Sequence, residues 1–180
     1  MYFDCMDRHL SVCSVRDLPH MARRDPGFWH VVSILEPYRR RLTFDGFRDV
    51  ISLRFDDVEN LDTEATGIVF PRLHDIQEVF DFVDERWGEP ILIHCWAGRS
   101  RSTAMALSFL ARGLYWDGVA DFAEPAVELL LQIRPKARPN VLVLRLGLQT
   151  FLPEKEAMEA TREMVNHPVL LENRFNPPEG

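Results

Sequence analysis

The stretch Ile91-Leu-Ile-His-Cys-Trp-Ala-Gly-Arg-Ser-Arg-Ser-Thr103 decides how the rest of the chain is read. Pro90 to His94 reads as a short, wholly buried strand. A cysteine follows at once, then a loop with a single glycine, and then a helix from about Ser102 to Tyr115, rich in Ala, Leu and Met. Working upstream, Leu10–Val15, Trp29–Leu35 and Asp49–Phe55 are further strands, bounded by Asp, Pro and Gly. Between the third and fourth strands the spacing predicts a helix over 71–87. Its residues Ile76, Val79, Phe80, Val83 and Trp87 share one face, Pro71 lies in its first turn and Gly88 ends it. Downstream, Val119–Ile133, Asn140–Phe151 and Pro153–Val165 read as helices. Strands interleaved with helices early, and helices alone late, predict an α/β fold. It has a central, mostly parallel sheet of about four to five strands, flanked by helices and with a helical cluster on one side. Residues 1–172 form one domain in this reading, and the polar, Pro-rich 173–180 is a flexible tail.

The length of 180 residues suits one domain, and 46% hydrophobic with 27% charged residues is the balance of a soluble globular protein. No apolar run approaches the ~20 residues of a membrane-spanning helix. The opening MYFDCMDRHL has no apolar signal region. The formal net charge of −7 argues against long-range attraction to nucleic acid or to an anionic membrane. Cys5, Cys13 and Cys95 are too few and too scattered for a disulfide framework or a paired-cysteine metal site. His9, His20, His30, His74 and His167 lack metal-ligand spacing. The expectation is a cytoplasmic protein with no metal and no cofactor.

The loop carries the chemistry. Residues 96–101 form a tight turn whose N–H groups can converge on one point, with Gly98 supplying a backbone conformation other residues resist. The N-terminus of the following helix adds unsatisfied donors and the positive end of a dipole. Arg101 closes the ring with a planar fork suited to two phosphate oxygens. Cys95 at the base of this cup is in a setting that stabilises its thiolate, the nucleophilic form. A lone cysteine at a strand end is usually an inert buried thiol; Gly98, Arg101 and the strand–loop–helix setting argue here for a reactive one. The arrangement suits removal of phosphate from an ester through a phosphocysteine intermediate.

His94-Cys95-Trp96-Ala97-Gly98-Arg99-Ser100-Arg101-Ser102-Thr103 resembles the signature of the protein tyrosine phosphatase superfamily, a His-Cys pair followed by five residues, Arg and Ser or Thr. Ala97-Gly98 and Ser100-Arg101-Ser102 are most similar to the dual-specificity branch. Ile133-Arg134-Pro135 and Pro139-Asn140 resemble that branch's segment after the catalytic helix, so the likeness covers roughly residues 45–150. It implies Cys95 as nucleophile, Arg101 as phosphate ligand, and Trp96, Ala97, Gly98, Arg99 and Ser100 as the binding loop. Ser102 would assist hydrolysis of the intermediate, beside its plain alternative as a helix N-cap. His94 would support the loop from below rather than shuttle protons.

The resemblance also implies an aspartate on a loop before the catalytic strand as general acid. Asp57, just past the strand Asp49–Phe55, is preferred; Asp62 and Asp56 are the alternatives, each otherwise a loop-solvating residue. Trp96 either meets a substrate ring or covers the loop. Arg99 meets a second substrate charge or pairs with an acidic neighbour, the latter preferred. Arg39-Arg40-Arg41 reads as a solvated turn rather than a substrate or lipid patch. Phe44 and Phe47 read as packing residues.

The leading function is hydrolysis of phosphotyrosine, with phosphoserine and phosphothreonine as further substrates, and phosphorylated proteins or small phosphoesters as partners. Phosphoinositides or other non-protein phosphomonoesters are the alternative within enzymes, and a non-catalytic phosphate-binding module the alternative outside them. Low-molecular-weight phosphatases and arsenate reductases carry their comparable loop after the first strand, whereas Cys95 is mid-chain.

Overall fold

The structure, a computed structural model, describes residues 1–59 and 66–175. Five strands form one sheet: β1 (Tyr2–Phe3), β2 (Arg8–Ser14), β3 (His30–Leu35), β4 (Val50–Arg54) and β5 (Ile91–Cys95). Their order is β1-β2-β5-β3-β4, with β1 antiparallel and every other pair parallel. The mostly parallel α/β sheet expected from the sequence is therefore present. β5 lies at its centre, with Ser14 and Ile34 registered on either side of Cys95. β3 and β5 are buried at every residue because helices cover both faces, which is why they read as unbroken apolar runs.

The helices are α1 (Leu18–Arg24), α2 (Leu73–Asp84), α3 (Arg101–Trp116), α4 (Ala123–Ile133), α5 (Val141–Gln149), α6 (Glu154–Val165) and α7 (Pro168–Phe175). Alternation along β5 sorts its side chains between two cores. Ile91, Ile93 and Cys95 face a large cluster built with α2 to α7, whereas Leu92 joins Leu18 and Met21 of α1, Trp29 and Cys13 on the other face. Among the described residues no helix is long and apolar enough to cross a membrane.

Two helices escape the sequence reading. Leu18 and Met21 are the only buried residues of α1, too short a helix to display a period. α7 carries the chain as helix to Phe175, so the first three residues of the expected 173–180 tail are helical, and 176–180 lie outside the described residues. Its last residues include Asn173, which is buried and donates from Nδ2 to the carbonyls of Pro135 and Ala137, both at 2.9 Å. A polar composition marked this segment as solvated; its polar group is instead spent on backbone acceptors inside the fold.

α3 is the axis of the large core, buried at every residue from Arg101 to Gly113. α5 crosses it closely at Gly147, where a Cβ would lie 2.1 Å from Ser108 Oγ and 2.6 Å from Ser108 Cβ. We expect Gly147→Ala to force the two helices apart and lower stability by about 1–3 kcal/mol. Ala is the better helix former, so a gain in the denaturation midpoint would contradict this packing.

Candidate active site

Cys95 is the last residue of β5, 1% exposed, and the chain turns back so that Ser102 Oγ lies 3.1 Å from its Sγ. Ser102 itself is fully buried. Residues 96–101 are thus closed into a ring above the thiol. The turn depends on Gly98, with φ +65°, where a Cβ would sit 2.5 Å from the Cys13 carbonyl at the end of β2. Both the left-handed backbone and the close approach require glycine.

The carbonyls of Trp96 to Ser100 are all engaged from outside the ring. Trp96 accepts from Val15 N, and Arg138 N donates to Arg99. Arg134 donates from Nη2 to Ala97 and from Nε to Gly98, at 3.2 and 2.7 Å. Ser100 accepts from Ala104 N, Asn140 N and the Thr103 hydroxyl. Among the described residues, none of the five N–H groups from Trp96 to Ser100 donates to a protein acceptor. Carbonyls bonded outward and amides without acceptors make an anion-binding nest.

Arg101, 1% exposed, occupies the first turn of α3. Its Nη2 donates to Glu36 Oε1 at 2.7 Å and its Nη1 to the Phe55 carbonyl at 2.9 Å. Its Nε is buried without a hydrogen-bond partner among the described residues. Glu36 stands just past β3. Burial works to raise its pKa, but its own backbone N–H and the Arg101 charge outweigh that and hold it below the ordinary value. Sequence reasoning missed Glu36. Its signal is a carboxylate directly after an otherwise apolar strand, at the end of a parallel sheet where ligands gather.

Of the three candidate aspartates, Asp57 stands beside the ring. Its Oδ1 accepts from Ser100 Oγ at 2.6 Å and Asn140 Nδ2 at 2.8 Å, and its Oδ2 lies 3.7 Å from Arg101 Nε. Asp56 instead accepts from the Val69 backbone N–H, and Asp62 lies outside the described residues. Asn140, fully buried, also caps α5 through Val143 N and holds the Val58 carbonyl. An open cleft of about 320 Å³ lies over this region, lined by Asp57, Glu59, Ala97, Arg99, Ser100 and Arg138.

The rim differs from expectation at two arginines. Arg99 pairs with no carboxylate among the described residues; its Nε donates to the Lys136 carbonyl, because the α4–α5 connection lies against the loop. Arg39 is no freely solvated residue. Its guanidinium stacks 3.5 Å over the half-exposed ring of Trp96 and its Nε donates to Glu36 Oε2 at 3.3 Å, while Arg40 and Arg41 stay exposed. Phe44 and Phe47 pack against the smaller core as expected, with Phe44 5.9 Å from the His94 ring.

His94 is fully buried, and neither ring nitrogen has a hydrogen-bond partner among the described residues. Burial, with the Arg101 and Arg54 charges adding to it, pushes its pKa down from 6.5 to about 4. Across that window the unfolded chain binds a proton that the folded chain refuses, so stability falls as pH drops from 6.5 towards 4. The loss from this group amounts to about 3 kcal/mol. In chemical denaturation at several pH values, His94→Asn should be less stable near neutrality but show a flatter decline below pH 6.5.

No protein-family model matches the chain, and no curated protein matches it in sequence. Solved structures do. The Yvh1 phosphatase domain from Chaetomium thermophilum is similar with a TM-score of 0.55 and 21% identity, over 78% of this chain and 88% of that one. Human DUSP28 is similar with a TM-score of 0.54 and 18% identity, over 85% of this chain and 93% of that one. PTPMT1, solved in complex with PI(5)P, has a TM-score of 0.51 and 17% identity, over 92% of this chain and 96% of that one. This chain shares the fold of these phosphatase structures.

Proposed function

We propose that this protein is a cysteine-dependent phosphatase acting on phosphotyrosine, and on phosphoserine and phosphothreonine, through a phosphocysteine intermediate. The observation that carries the reading is the ring above Cys95: five backbone N–H groups and the buried Nε of Arg101, without hydrogen-bond acceptors among the described residues. Donors aimed at one point with their carbonyls bonded outward form an anion site, and a phosphate with its equatorial oxygens in the ring satisfies them together. The same donors stabilise the charge that develops during transfer.

In the first step the Cys95 thiolate attacks phosphorus. The S–P bond forms, the bond from phosphorus to the ester oxygen breaks, and that oxygen takes a proton from Asp57. In the second step water attacks the phosphocysteine while the Asp57 carboxylate accepts its proton. Inorganic phosphate leaves, and the thiolate is restored with the Ser102 hydroxyl donating to it. Asp57 Oδ1 already accepts two hydrogen bonds, so Oδ2 is the oxygen that carries the transferred proton. Asp57 serves as acid and then as base, Arg101 as phosphate ligand, and the loop amides of Trp96 to Ser100 as the cradle.

A phosphoinositide or another non-protein phosphomonoester is the second reading. Its support is the stacking of Arg39 on Trp96 at the rim, with Arg40 and Arg41 next in the chain and exposed. Turnover of a phosphotyrosine peptide and of a short-chain phosphoinositide, compared on one preparation, separates the two.

Hydrolysis of para-nitrophenyl phosphate across pH 5 to 8, with chelator present, is the direct test. Cys95→Ser should abolish turnover while inorganic phosphate or vanadate still binds. Asp57→Asn should lower the rate by about 10²-fold or more and flatten the alkaline limb of the pH profile. Binding of phosphate without turnover by the unaltered protein would make this a phosphate-binding module.

A further inference from the structure

We propose that the carboxy-terminal helix α7 belongs to the working site: Arg174, through Glu59, is a positioning residue for Asp57. This rests on the reading of Asp57 as the proton donor. β4 ends at Arg54, and the chain beyond it is a loop. Phe55 still donates its N–H to Leu35, and Asp56 is paired with Val69, but Asp57, Val58 and Glu59 are held from elsewhere. Asn140 holds the Asp57 carboxylate and the Val58 carbonyl. Glu59 is held by Arg174, whose Nη1 donates to Oε2 at 2.5 Å, with Arg138 Nη2 at 3.9 Å from its other oxygen.

The same helix also steadies the floor on which Asn140 stands. Arg174 Nη2 donates to the Pro139 carbonyl at 3.3 Å, and Asn173 holds the Pro135 and Ala137 carbonyls. The segment so held contains Arg134, Arg138 and Asn140, which together grip the ring carbonyls of Ala97, Gly98, Arg99 and Ser100. Two residues of one short helix, Asn173 and Arg174, therefore restrain the surroundings of the proton donor. A displacement of about 1 Å suffices to lose proton transfer, and a loop residue keeps such tolerance only where its neighbours are held.

The consequence separates positioning from bulk structure. Loosening the 57–59 loop leaves Cys95 and the ring intact but weakens protonation of the leaving oxygen. Nitrophenolate, the weaker base, depends on that proton less than phenolate does. The test measures kcat/KM on para-nitrophenyl phosphate and phenyl phosphate, with inhibition by inorganic phosphate as the readout of the ring, for full-length Arg174→Ala, Arg174→Lys, Glu59→Gln and Asp57→Asn. Arg174→Ala and Glu59→Gln should each cost about tenfold more on phenyl phosphate than on the nitrophenyl ester. Phosphate inhibition should shift by less than the leaving-group effect, and Arg174→Lys should recover much of the loss. The two changes combined should cost no more than either alone.

Equal losses on both substrates, or none, would overturn the proposal. Glu59→Gln keeps the side-chain volume, so it decides the matter should Arg174→Ala unfold. If Asp57→Asn is sensitive to the leaving group and neither clamp variant is, the clamp alone fails. If Asp57→Asn is itself insensitive, the reading of Asp57 as proton donor fails and the clamp with it.

Discussion

A buried guanidinium organises the functional end of this molecule. Arg101 carries its charge at the first turn of α3, where the helix dipole is already positive, so it needs anionic and carbonyl partners. It finds them in Glu36, just past β3, and in the Phe55 carbonyl, just past β4. Removing one partner of such a buried pair typically costs about 3–5 kcal/mol, because the other charge remains. That constraint draws together the carboxyl ends of two strands and the start of α3. The loop joining β5 to α3 therefore closes in one place, with Asp57 Oδ2 3.7 Å from the same guanidinium.

Around that charge the ring is shaped from outside. Arg134, Arg138 and Asn140, all from the connection between α4 and α5, engage its carbonyls, and Val15 engages the carbonyl of Trp96. A backbone whose carbonyls are bound on the outer side is rigid before any ligand arrives. Preorganised donors of this kind do not have to reorganise during a reaction, which is where their strength lies. Glu36 links floor and rim, one oxygen on Arg101 and the other on Arg39, which stacks on Trp96. Side chains at the base of the cup and at its edge are thus mechanically continuous.

Much of the site was legible because the relevant order is local. A strand, a cysteine, a glycine turn and an arginine opening a helix lie within a dozen residues, and their geometry follows from backbone preferences over that span. The structure places Asp57 beside the ring and ties Asp56 to Val69. Other features were illegible because they join distant positions. Arg39 read as solvated because nothing in a run of three arginines says that the first will meet Trp96. Arg99 reads as the partner of an acidic neighbour, yet the chain against it presents the Lys136 carbonyl. α7 was hidden by polar composition, since Asn173 spends its amide on Pro135 and Ala137 rather than on water.

By itself the sequence determined the α/β pattern, the short buried strand ahead of Cys95 and the glycine-dependent loop that returns through Arg101 into a helix. These are properties of neighbouring residues: side-chain period, turn conformation and the free N–H groups at a helix start. Only the tertiary structure decided which partners surround that loop. The strand order β1-β2-β5-β3-β4 sets Glu36 and Phe55 against Arg101, and the later helices bring Asn140 and Arg174 to the loop that carries Asp57. Contacts between residues so far apart in the chain depend on how whole elements pack, and no local preference encodes that packing.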